Sequence, residues 1–147
     1  MTSCGGVKAT QLAGAIPNHK DDKQGHHDVF WWWWTKNVGT QMTFPDTSNN
    51  RFQSHCEAAG VLLLYSDHSI AFLDYICKKK NDMQFSHMEE NLWKALHCIA
   101  TKTELAVLAL YSQAITHPYI RIICAPNQQT NMLDLSPLHA KVLAHMQ

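Results

Sequence analysis

The sequence predicts a mainly α-helical fold, an irregular bundle of about five helices. Three observations lead there. After Pro45 the apolar residues recur at helical spacing, capping residues stand ahead of most of those runs, and no internal repeat points to a solenoid or propeller. A chain of 147 residues with 46 % hydrophobic content suits one domain with a real core.

Residues 1–28 mix Gly, Asn, Lys, Asp and His, and "NHKDDKQGHHD" carries no apolar period, so a flexible polar arm is expected there. Residues 29–147 are then the single helical domain. From Val29 to Phe44 the residues turn aromatic and β-branched, and "KNVG" between "VFWWWW" and "TQMTF" is compatible with a short β-hairpin.

The first helix lies in "RFQSHCEAAGVLLLY", where Phe52, Cys56, Ala59 and Leu63 keep helical spacing behind the capping candidates of "DTSNN". A second, capped by Asp67 or Ser69, runs through "IAFLDYICKKK" with Ile70, Leu73 and Ile76 or Cys77 inward. Lys78, Lys79 and Lys80 then fall at the negative end of its dipole. The third opens with Ser86 and Glu89 in capping-box spacing, followed by an apolar stripe of Leu92, Trp93, Leu96 and Ile99. Thr103 caps the fourth, "ELAVLALYSQAI", which is apolar all round from Leu105 to Leu110 and therefore belongs in the middle of the bundle, with Leu108 as a core residue. Pro118 stops it. "YIRIICAP" reads equally as a short helix or a strand. A last helix starts from Ser136 as N-cap and Pro137 as N1, with Leu138, Val142 and Leu143 inward.

Composition narrows the functions. Twelve basic residues balance twelve acidic ones, so no global field draws the molecule to a polyanion or an anionic membrane. Cys4, Cys56, Cys77, Cys98 and Cys124 are an odd set without a CxxC pair, and the first residues lack the layout of a signal peptide; reduced thiols and an intracellular location are expected. The apolar runs "VLLLY" and "LAVLALY" fall short of the ~20 residues that span a bilayer, so no membrane association is expected.

No complete catalytic constellation is present, and the expectation is a non-enzyme without cofactor. His19, His26, His27 and Asp28 lie close together, but neither CxxC nor HExxH spacing accompanies them, which favours an exposed polar segment over a metal site. His97 and Cys98 are helical neighbours about 100° apart and so make no dyad, which leaves a buried thiol and a satisfied histidine as the simpler reading. No GxSxG or glycine-rich phosphate loop occurs. For nucleic acid the candidates are Arg51, Lys78, Lys79 and Lys80 beside the aromatic platform of Trp31 to Trp34, although only Lys36 and Lys23 flank that platform.

The stretch "TSNNRFQSHCEAAGVLLLY" resembles the segment of hobo/Activator-type transposases that carries Thr-Arg-Trp-x-Ser ahead of a helical insertion. Arg51 and Ser54 match, Phe52 stands at the tryptophan, and Asn49 with Asn50 separates Thr47 and Ser48 from the arginine. The texture of residues 29–147 is similar to helical regions of transposase-like reading frames in fungal mobile elements. The resemblance implies a piece of a larger protein whose ribonuclease-H-like core uses three acidic residues and divalent metal. None of those three is placed on this chain, so the activity does not carry over. A helical insertion that braces DNA or a second protomer does.

Four consecutive indoles, Trp31, Trp32, Trp33 and Trp34, cannot all be covered by one apolar face, whether on a helix or a strand. An exposed apolar patch marks an interaction surface. The expectation is therefore protein association through Trp31 to Trp34, with a homo-oligomer or a larger protein as partner.

Overall fold

A computed structural model of the chain describes residues 5–18, 26–40, 42–47, 53–125, 131 and 134–146. The fold is mainly α, as expected, and no strand occurs among the described residues. The helices are α1 (Gly6–Asn18), α2 (His27–Val38), α3 (Ser54–Leu64), α4 (Ser66–Lys79), α5 (His87–His97), α6 (Ile99–Tyr111), a π turn (Ser112–Thr116), α7 (His117–Ile123) and α8 (Ser136–Met146). The chain divides into two compact units, Met1–Ala109 and Leu110–Gln147, and not at residue 28.

The flexible arm is corrected over Gly6–Asn18. Ala9, Leu12, Ala13 and Ile16 are buried at helical spacing, and α1 packs chiefly on α5 and α3. Small residues make this approach close. A Cβ on Gly14 would lie 2.2 Å from Thr47 Oγ1, a hydroxyl already donating to the Thr10 carbonyl at 3.2 Å. Thr10 in turn donates to the Val7 carbonyl and meets His55 Nδ1 of α3 at 2.9 Å. The amide of Gly6 donates to Glu104 of α6 at 2.5 Å, which fills one of the orphan donors at the start of α1.

The β-hairpin is corrected to a helix. Phe30, Trp33, Trp34 and Val38 fall at i, i+3, i+4 and i+8, and Gly39 takes φ +77° as a left-handed C-cap, its amide returning to the Thr35 carbonyl. The glycine of "KNVG" thus ends a helix instead of turning a strand.

In α3, Ala58, Ala59 and Leu62 are buried, with Leu63 partly so; Arg51 and Phe52 lie outside the described residues. In α4, Leu73 and Ile76 are buried as expected, joined by Phe72, while Asp67 and Ser69 lie inside the helix, whose N-cap is Tyr65 with no side-chain cap. The capping box of α5 forms: Glu89 N–H reaches Ser86 Oγ at 3.4 Å, and Ser86 N–H donates to Glu89 Oε2 at 2.8 Å. Leu92 and Leu96 join the core, and Trp93 packs partly against it.

The helix expected at the centre is peripheral. In α6 only Thr101 and Leu105 are buried, Leu108 is partly buried, and Ile99 and Val107 are 82 % and 60 % exposed. Ile99 leaves the expected stripe because α5 ends at His97 and the chain changes direction at Cys98, with ψ 118°. Thr103 is not a cap; its hydroxyl donates back to the Ile99 carbonyl inside the helix.

In the second unit Pro118 does not stop the helix. The backbone stays helical through a π turn over Ser112–Thr116, with Thr116 and His117 both in the right-handed helical region, and the proline falls in the first turn of α7. "YIRII" is accordingly helical. Neither α7 nor α8 contains a buried residue, so the inward placement of Leu143 is corrected: it is 59 % exposed. Tyr119 and His139 meet at 3.0 Å between Oη and Nε2 and link these two helices.

Candidate functional site

Helix α2 presents two faces. Its inner face is fixed by an aromatic cluster: Trp34, 1 % exposed, lies 5.0 Å from Phe30 and 5.3 Å from Tyr65 between ring centroids, and Trp33 lies 5.4 Å from Phe72. Such pairs contribute about 0.5 to 1.5 kcal/mol each beyond their buried area. Trp33 and Trp34 are therefore removed from the expected interaction surface. A helix turns about 100° per residue, so adjacent pairs in a run of four fall on different sides.

Trp31 and Trp32 remain outside, 44 % and 52 % exposed. They sit in two adjacent rows with one turn between successive members, His27, Trp31 and Thr35 beside Asp28, Trp32 and Lys36, and these six residues line an open depression of about 670 Å³. The Lys36 ammonium stands 4.9 Å from the Trp32 ring, within cation–π reach. The Trp32 ring also lies 6.2 Å from Tyr75 of α4, which connects this face to a second helix. Asp28 Oδ1 is 3.1 Å from His27 Nδ1, and its side chain is 96 % exposed. The surface is thus apolar in the middle and charged at its two ends.

The entry to α2 is held by Glu89. This carboxylate, 2 % exposed, receives Lys80 Nζ at 2.6 Å and the Ser86 amide at 2.8 Å, and lies 2.9 Å from His26 Nε2. Burial alone would raise its pKa, but the contacts from His26, Lys80 and Ser86 outweigh it and hold the group at about 2. The backbone N–H of His26 also donates to the Ile16 carbonyl at 2.7 Å. One residue of the histidine-rich segment thereby ties α1, α2 and α5 together, a role with no sequence signal beyond the capping box itself.

The remaining candidates disperse. Lys78 and Lys79 are exposed at the end of α4, whereas Lys80 is engaged by Glu89; Arg51, Lys23 and His19 lie outside the described residues. Among the described residues no group of three or more His, Cys, Asp or Glu side chains is arranged to hold a metal. The His97 ring lies tilted against Trp93, 4.0 Å between centroids, and its Nδ1 lies 2.8 Å from the Trp93 carbonyl. Cys98 is exposed, which corrects the buried-thiol reading. Its thiol pKa is lowered by hydrogen bonds from the Thr101 backbone and hydroxyl at the start of α6, whereas burial raises that of Cys56.

No helix among the described residues is long and apolar enough to cross a membrane. No protein-family model, curated protein or solved structure matches the chain.

Proposed function

We propose that this chain is a non-catalytic helical association domain whose contact surface is the outer face of α2, centred on Trp31 and Trp32. The observation that carries this reading is the pairing of two half-exposed indoles with a rigid mount, since the same helix is clamped from behind by Trp33, Trp34 and Phe30. Aromatic side chains held in one conformation lose little entropy on binding and bury large areas, which is why they dominate interface cores. A descent from a transposase-like mobile-element protein accords with this role and rests on the sequence resemblance alone.

Acrylamide quenching of tryptophan fluorescence, run beside sedimentation velocity at low and high protein concentration, tests the surface. A Trp93→Phe background removes the fifth indole. Quenching that falls as concentration rises, and that loses this dependence in Trp31→Ser/Trp32→Ser, is expected. Concentration-independent quenching with one monomeric species would sink the reading.

One observation favours a second use of the same face. Tyr75 touches Trp32 and stands one turn before the exposed Lys78 and Lys79, so aromatic and basic groups adjoin as in single-strand binders. Salt separates the two: phosphate contacts weaken steeply with ionic strength, and apolar association does not. Titration with a labelled oligothymidylate at low and high salt decides it, and absence of binding at low salt would remove the nucleic-acid reading.

A further inference from the structure

We propose that the occupant of the α2 face is a second copy of this chain, packed α2 against α2 about a two-fold axis through Trp32. The inference rests on the association reading above and specifies its partner and geometry.

The row Asp28, Trp32, Lys36 has an i, i+4, i+8 spacing, so an acid and a base stand about 12 Å apart along the helix with an indole midway. A two-fold axis perpendicular to the helix at Trp32 exchanges the ends of that row. Asp28 of each copy then meets Lys36 of the other, and the two Trp32 rings meet at the centre. A surface that binds itself isologously must be self-complementary in this way. Any other occupant would have to bring a base and an acid at the same separation; this chain brings them by symmetry.

Three features of the face fit that arrangement. The Asp28 side chain is 96 % exposed and so is open to a new partner. Lys36 is already drawn onto the row by its own Trp32, which lowers the cost of ordering it. The depression between the two rows gives the opposing indole a place to lie, flanked by Trp31 and Thr35. The chain has no net charge, so two copies approach without general repulsion. Two pairs of half-exposed indoles make a small interface, so the dimer should be weak and concentration-dependent.

Charge exchange tests this directly, by sedimentation velocity of the whole chain at low salt. Asp28→Lys places lysine opposite lysine twice, and Lys36→Asp places aspartate opposite aspartate twice. Each should weaken self-association by about tenfold or more, because symmetry doubles a pair effect that is modest singly. An equimolar mixture of the two variants should regain association as a heterodimer, and Asp28→Lys/Lys36→Asp in one chain should regain it as a homodimer. Recovery in the mixture also shows that both variants are folded.

Variants that associate like the unaltered chain, or a mixture that stays monomeric, would overturn the two-fold arrangement. If Trp31→Ser/Trp32→Ser still abolishes association in that case, the surface stands and only its geometry falls. If the unaltered chain is monomeric at every concentration, both the surface and the geometry fall.

Discussion

Helices α2 and α6 are both rich in apolar side chains, yet α2 buries three large aromatic ones and α6 a single leucine. In α2 the sequence places Phe30, Trp33 and Trp34 on one side, and all three are buried. In α6 the run from Leu105 to Leu110 distributes its apolar groups round the helix, and Leu105 is the one member of that run that is buried. The difference lies in the partners. Phe72 and Tyr65 meet the inner face of α2 with aromatic rings, and Glu89 holds its N-cap residue, His26; α6 begins at an exposed bend after Cys98. Hydrophobic content states that a helix has surface to bury, and the pattern of partners decides which side does so.

The sharpest way to break this comparison is Trp34→Ala. Removing a side chain that is 1 % exposed should cost about 3 to 5 kcal/mol, measured by urea denaturation of the full chain. A loss below about 1 kcal/mol would mean that the inner face of α2 is not the core.

Within α6, Leu105→Ala should cost about 2 to 5 kcal/mol, while Leu108→Ala, at a partly buried site, should cost clearly less. Equal losses would return α6 to the centre of the bundle.

Acid addresses the clamp at the start of α2. The folded pKa of Glu89 lies below its unfolded value, so in the window between about 4.5 and 2 the unfolded chain binds the extra proton. The stabilisation from Glu89 is fully present above that window and is lost as pH falls through it, by roughly 1 to 3 kcal/mol given solvent screening at the part-exposed Lys80 and His26. Chemical denaturation at both ends of the window should show a drop that Glu89→Gln largely removes. An unchanged pH slope in the variant would remove Glu89 from the clamp.

The outer face of α2 should give the smallest effect. Trp31→Ser and Trp32→Ser, at sites about half exposed, should each shift monomer stability by no more than about 0.5 kcal/mol, while the proposed association should be lost in the double variant. A loss of several kcal/mol would assign these indoles to the core.

The legible part of the fold was local. Ser86 and Glu89 announce the start of α5 because a capping box is formed by residues three apart, and Leu92 and Leu96 announce its buried side by their spacing. The illegible part depends on distant neighbours. Which two of four indoles turn inward follows from Phe72 and Tyr65, more than thirty residues away, although the helical spacing of Phe30, Trp33, Trp34 and Val38 was available as a clue. Helix α1 escaped notice because small residues bury without advertising hydrophobicity; the spacing of Ala9, Leu12, Ala13 and Ile16 was the signal present. Pro118 does not end the helix, because the chain runs on through a π turn just ahead of it, a device that no propensity announces. Of the site, the run of four indoles was legible as more aromatic surface than one face can cover, and Trp31 and Trp32 are the two left outside, whereas the Asp28–Trp32–Lys36 row emerges only once the segment is helical.

Helix α1 packs on α3 and α5, and its first turn is closed by Glu104, ninety-eight residues further on. On the ribosome this means that α1 cannot finish packing until the chain has been translated as far as α6. At about 5 to 20 residues per second, the interval is at least several seconds. Throughout it, Leu12 and Ile16 are without their final neighbours, so the rate of translation sets how long this apolar stripe stays uncovered.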